Sequence, residues 1–136
     1  MLEDFLDRKN ILAVVGASRE KNKYGYKIYK AVLNADYEVY PVNPNAREID
    51  GKKCYPTLSS LPKKPDVVIT VVPPKITEKI VEEAKELGIK KVWMQPGSES
   101  EKAIEFCKQN NIEVVAKMCF VADGVKENLE RLAFGL

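Results

Sequence analysis

Ile11-Leu12-Ala13-Val14-Val15-Gly16-Ala17-Ser18 is the stretch that decides the fold. Five apolar residues in an unbroken run suit a strand covered on both faces, and the run stops at a glycine. The next segment changes period. Over residues 24–34, Ile28 and Val32, continued by Ala35, fall on one stripe, with Lys27 and Lys30 placed to face water, which predicts a helix. Residues 37–42, Tyr-Glu-Val-Tyr-Pro-Val, are rich in β-branched and aromatic side chains and stop at the turn dipeptide Asn43-Pro44, so a second strand is expected. Gly51, Pro56, Pro62 and Pro65 punctuate residues 45–65, where loop and short irregular pieces are expected, with a short helix near Leu58 to Leu61.

Residues 66–72 form the strongest strand signal, closed by Pro73-Pro74. A helix over about 76–87 ends at Gly88, residues 91–94 make a strand, Ser100 caps a helix reaching about Asn110, and 112–116 make a last strand. A further helix is possible over 125–133. Strands alternating with helices at this spacing predict an α/β fold: a single Rossmann-like three-layer domain over residues 1–136, with a mainly parallel sheet of five or six strands.

Composition narrows the function. The chain has 136 residues, 45% hydrophobic and 31% charged, which is enough for one core and excludes disorder or collagen-like repetition. The net charge of +2 argues against a nucleic-acid partner, but a small anionic ligand needs only a few local cations. There is no histidine, so Ser-His-Asp and Cys-His catalysis and His-containing metal sites are excluded. No catalytic set and no metal set is expected. Cys54, Cys107 and Cys119 form no CxxC pair, and a reduced, cytoplasmic setting is the simplest expectation. No apolar run approaches the roughly 18 residues of a membrane span, and Leu2-Glu3-Asp4-Phe5 does not read as a secretion signal, so no membrane partner is expected.

In an open parallel sheet, ligands sit beyond the carboxyl ends of the strands where the strand order reverses. Four loops therefore matter. After the first strand, Gly16, Ala17 and Ser18 allow a tight turn, a hydroxyl and a possible helix cap, and Arg19, Lys21 and Lys23 bring positive charge to a helix start. The loop matches neither GxGxxG nor the P-loop. After the second strand stand Asn43, Pro44, Asn45 and Arg47 where a dinucleotide site for NAD would place an acidic residue, so a phosphorylated ribose is tolerated there. The dipeptide also reads simply as a turn. Val72, Pro73 and Pro74 offer a rigid apolar wall or merely a helix lead-in, and Gln95, Pro96 and Gly97 offer hydrogen bonding and close approach. Cys119 reads best as a small buried hydrophobe.

Taken together, Gly16-Ala17-Ser18, Gly25-Tyr26, Tyr40-Pro41-Val42-Asn43-Pro44, the stretch from Gly51 to Leu58, Val71-Val72-Pro73-Pro74 and Trp93-Met94-Gln95-Pro96-Gly97 resemble the CoA-binding domain family, over nearly the whole chain. Its members are small proteins similar to the nucleotide-binding domain of the succinyl-CoA synthetase alpha subunit. The resemblance implies coenzyme A held at the carboxyl edge of the sheet. Gly16, Ala17, Ser18 and Lys23 would meet its phosphates. Asn43, Pro44 and Arg47 would meet the 3′-phosphate region, Val72, Pro73 and Pro74 the base or pantetheine, and Gln95, Pro96 and Gly97 the chain beyond. The synthetase works through a phosphorylated histidine, which this chain lacks, so binding of coenzyme A or an acyl-CoA without catalysis is the leading expectation. The alternatives are an NAD(P)-dependent oxidoreductase or redox-sensing module, and a docking subunit of a larger ligase; a homo-oligomer or a partner subunit fits either binding role. The apolar spacing of the segment from Phe120 onward suits a docking surface, though packing on its own sheet is favoured.

Overall fold

In the computed structural model, which describes residues 2–125, the chain runs α1 (Leu2–Leu6), β1 (Ile11–Val15), α2 (Tyr24–Asn34), β2 (Glu38–Val42), a hairpin of β3 (Glu48–Ile49) and β4 (Lys52–Lys53), β5 (Val67–Thr70), α3 (Pro74–Glu86), β6 (Lys91–Met94), α4 (Glu101–Gln109) and β7 (Glu113–Ala116). The main sheet has five strands in the order β2-β1-β5-β6-β7, every pairing parallel. The chain leaves β1 toward β2 on one side and resumes at β5 on the other, so the order reverses between β1 and β5.

Side-chain alternation along the strands builds two cores. Leu12, Val14, Val67, Ile69 and Trp93 face α1 and α2, packing with Phe5, Leu6, Ile28, Tyr29 and Val32. Ala13, Val15, Val68, Val92 and Met94 face α3 and α4, packing with Val81, Ala84, Ala103 and Cys107. With both faces covered, the central strands need the continuous apolar runs the sequence carries. Pro41 is tolerated in β2 because that strand lies at the sheet edge.

Beyond β7 the chain turns back over the first core. Phe120 is fully buried, and its ring meets Trp93 at 5.0 Å and 77°. The Trp93 indole N–H donates to the Met118 carbonyl at 2.7 Å. Residues 120–125 form one wide helical turn, so the start of the C-terminal segment packs on its own sheet, as favoured from the sequence. The helix expected over 125–133 lies outside the described residues, apart from Val125, which belongs to that wide turn.

The structure differs from the sequence reading at several element bounds and in its small elements. The strongest strand ends at Thr70, because Val71 and Val72 leave the ladder toward the reversal point, although the Val71 amide still donates to Val15 O at 2.8 Å. The following helix begins at Pro74, whose missing N–H costs nothing in a first turn. α1 and the β3–β4 hairpin stand where no regular element was expected. Among the described residues no helix is long and apolar enough to cross a membrane.

Candidate functional site

Two concave surfaces open at the carboxyl rim and meet at Gly16 and Val72. One, of about 430 Å³, lies over the β1–β5 reversal and runs toward β6; Ser18, Lys23, Tyr24, Pro73, Pro96 and Gly97 are among its walls. The other, of about 390 Å³, lies on the β2 side between Asn43, Pro44 and Pro56 and the α3 residues Ile76 and Ile80.

Their junction depends on glycine. A Cβ on Gly16 would stand 2.2 Å from the Val71 carbonyl oxygen, and the residue sits at φ +99. A Cβ on Gly25 would stand 1.9 Å from the Gly16 carbonyl oxygen. The β1 turn, the β5 end and the first turn of α2 are thus pressed together with no room for a side chain.

The two helices that start at this crevice differ in what they offer. Lys23 is the N-cap of α2 and gives no side-chain cap, so the first-turn N–H groups lack that acceptor, and the cation stands beside them. This arrangement favours an anion. α3 instead begins with Pro73 as N-cap and Pro74 behind it, neither with an N–H, and turns an apolar wall toward the cleft through Val72, Pro73 and Ile76. The α2 start thus offers a cation and free N–H groups, and the α3 start offers an apolar wall.

The expected residues fall on both clefts. Gly16, Ser18, Lys23, Val72, Pro73, Pro96 and Gly97 line the first cleft, and Asn43 and Pro44 line the second. Ser18 does not cap α2; its Oγ accepts the Glu20 N–H at 3.0 Å within its own loop. The Ala17 methyl is buried in the core, and its carbonyl accepts the Asn43 Nδ2–H at 2.8 Å. Asn43 Oδ1 accepts the Asn45 N–H at 2.8 Å, so one end of this amide ties the two loops together and the other braces its own turn. Arg47 is exposed and lies with Arg19, Asn45 and Asp50 in a third hollow; Asn45 also borders the second cleft. Pro74 lines none of these surfaces.

Gln95 lines none of them either. It is fully buried, with Oε1 accepting the Phe120 N–H at 2.6 Å and Nε2 donating to Tyr24 Oη at 2.7 Å and to Cys119 Sγ at 3.3 Å. Cys119 is therefore not the small hydrophobe expected. It is half-buried, and its sulfur receives hydrogen bonds from Gln95, from the Ala122 N–H at 3.5 Å and from the Tyr24 hydroxyl at 3.7 Å. Burial pushes this thiol up, but the donors from Ala122, Gln95, Tyr24 and Val121 outweigh it and the net shift is downward. The Tyr24 phenol is pushed up to about 12, first by burial and then by the adjacent sulfur. Among the cleft residues the sequence reading did not single out, Tyr24, 43% exposed, and Ile76, 39% exposed, are the large exposed apolar ones. Their signal was available, since a large apolar side chain in the first turn of a helix that starts at the rim is placed to face it. Among the described residues no three His, Cys, Asp or Glu side chains gather as a metal site.

A five-stranded parallel sheet with a glycine-lined crevice at its order reversal defines a Rossmann-like nucleotide-binding class. Within that class, residues 10–124 match the CoA binding domain model, and the chain belongs to this family. It is 33% identical over 119 residues to acetate–CoA ligase (ADP-forming) I of Archaeoglobus fulgidus, covering 80% of this chain and 17% of that protein. It is 37% identical over 95 residues to the alpha subunit of acetate–CoA ligase (ADP-forming) II of Pyrococcus furiosus, covering 68% of this chain and 20% of that subunit. The chain thus spans a fifth or less of these curated relatives. Among solved structures, a conserved hypothetical protein from Pyrococcus furiosus superposes with a TM-score of 0.78 at 46% identity, covering 84% of this chain and 97% of that one.

Proposed function

We propose that this chain binds coenzyme A along the carboxyl rim, without catalysis of its own. The observation that carries the reading is the pair of clefts joined at Gly16 and Val72, the first setting Lys23 and an uncapped helix start beside the apolar wall of Val72 and Pro73, the second lying between Pro44 and Ile76. The adenosine end occupies the β2-side cleft between Pro44 and Ile76. The diphosphate lies over Gly16 and the first turn of α2, near Ser18 and Lys23, with Ala17 contributing only through the backbone. The neutral pantetheine arm follows Val72 and Pro73 toward Pro96 and Gly97. Arg47, which shares the third hollow with Arg19, Glu48 and Asp50, meets the 3′-phosphate; Asn43 borders the adenosine cleft with its amide already hydrogen-bonded, and Pro74 and Gln95 stand behind the walls and do not touch the ligand. The family match and the ligase relatives support a coenzyme A ligand, and the alpha-subunit relative supports action beside a partner subunit.

Isothermal titration with coenzyme A, dephospho-coenzyme A and NAD tests the reading. Coenzyme A binds tightest, and loss of the 3′-phosphate costs about tenfold through one charge-assisted contact. NAD binding as well as or better than coenzyme A contradicts it.

A further inference from the structure

We infer that the Tyr24 ring is the contact that recognises the arm of the ligand, and that Gln95, which does not reach the cleft, is the positioning residue that holds this ring in place. The inference rests on the coenzyme A reading and adds a specificity element to it.

Tyr24 and Ile76 are the two large hydrophobic side chains most exposed among the described residues, and they stand on different clefts. The strand order sets their separation: Ile76 faces the β2 side with Asn43, whereas Tyr24 reaches over the rim toward Gln95 beyond β6 and Cys119 beyond β7. A ligand with its adenosine end on the β2 side brings its far end to Tyr24.

An exposed phenol ordinarily samples several rotamers. This one is fixed at both ends. Its Cα is in the first turn of α2, and its hydroxyl accepts from Gln95 Nε2 at 2.7 Å while directing its proton toward Cys119 Sγ at 3.7 Å. Gln95 has no freedom to turn its amide over, because Oε1 is held by the Phe120 N–H and its own backbone N–H donates to Thr70 O at 3.0 Å. The polar tip of Tyr24 is thereby satisfied inside the protein, and the cleft meets the ring. A ring held in advance offers apolar contact without the entropic cost of ordering it on binding. The chain of methylenes and amides in the arm of coenzyme A suits such a wall. Adenosine 3′,5′-bisphosphate, which carries no arm, does not reach it.

The test measures dissociation constants for coenzyme A and for adenosine 3′,5′-bisphosphate in the wild type, Tyr24→Ala, Tyr24→Phe, Gln95→Met, and the Tyr24→Phe/Gln95→Met double variant, with thermal melts confirming folding. Tyr24→Ala weakens coenzyme A by about tenfold and leaves the bisphosphate within about twofold. Tyr24→Phe and Gln95→Met each weaken coenzyme A by about threefold, and the double variant is no worse than the poorer single, because both cut the same hydrogen bond. Tyr24→Phe cuts it from the exposed side, so the reading of Tyr24 stands or falls even where Gln95→Met does not fold. Equal weakening of both ligands in Tyr24→Ala, or single effects that multiply in the double variant, overturns the inference. Wild-type protein that binds coenzyme A no tighter than the bisphosphate overturns this inference alone. Failure to bind either ligand overturns the coenzyme A reading along with it.

Discussion

The two halves of the carboxyl rim use similar residue types in opposite ways. Over β1 and β5, the α2 start goes without a side-chain cap, Lys23 is exposed, and glycine lets the backbone come to the surface of the cleft. Over β6 and β7 the polar groups are turned inward. Ser98 Oγ lies 2.8 Å from both Thr70 Oγ1 and the Gln95 carbonyl, Gln95 serves three partners, and the Cys119 N–H donates to Asp123 Oδ2 at 2.7 Å. One half leaves its hydrogen-bonding capacity open, and the other consumes it in holding the C-terminal turn. A binding rim needs both, because an open cradle is only as precise as the framework that supports it.

The sharpest way to break the contrast is Gly16→Ala. The added methyl meets the Val71 carbonyl, and an alanine at φ +99 is strained in any case, so a loss of at least about 3 kcal/mol in denaturant unfolding is expected. An unchanged midpoint would show that the junction of the clefts is not tight. Gln95→Ala strips the inward half of its central amide and leaves the Phe120 N–H unpaired, for about 2 kcal/mol by the same measurement. Replacing Ser18 and Lys23 together by alanine acts on the open half only. Coenzyme A binding should weaken by about 1–3 kcal/mol, with a shallower salt dependence and little change in unfolding midpoint. Gly97→Ala serves as a control at the border between the halves. Its Cβ would meet nothing within 4 Å, so the strain of φ +93 alone remains, about 1 kcal/mol.

The smallest effect concerns pH. The folded thiol of Cys119 lies below its unfolded value, so its contribution to stability is present on the alkaline side and disappears as pH falls through the folded value. Alkylation reads the same shift directly. Cys119 should react at lower pH than Cys107, whose thiol burial pushes up to about 11, and the reverse order would refute the account of its donors.

Local pattern was enough to read β1, α2 and β6 at their observed bounds, and the Ser100 cap, whose Oγ accepts the Ala103 N–H. It did not reach α1, five residues whose Phe5 and Leu6 become meaningful only against the distant core that includes Trp93. The β3–β4 hairpin did carry a local signal. Asp50-Gly51 at positive φ is a turn dipeptide between short extended pieces, masked by the prolines around it. At the rim, sequence placed the loops, because strand ends fix where they lie. It did not decide which way each side chain turns. Gln95 looked available for a ligand until the C-terminal turn supplied its partners, and the pattern that put Tyr24 in α2 did not say that its ring borders the cleft.

Trp93 adds a practical consequence. It is the chain's one tryptophan, wholly buried, with its indole N–H on Met118 O and its ring edge-to-face with Phe120 and Phe5. Intrinsic fluorescence therefore carries a single-site reporter inside the seam between sheet and C-terminal turn. Any treatment that lifts the turn while leaving the strands paired should red-shift emission before circular dichroism changes, so undocking can be followed without attaching a dye.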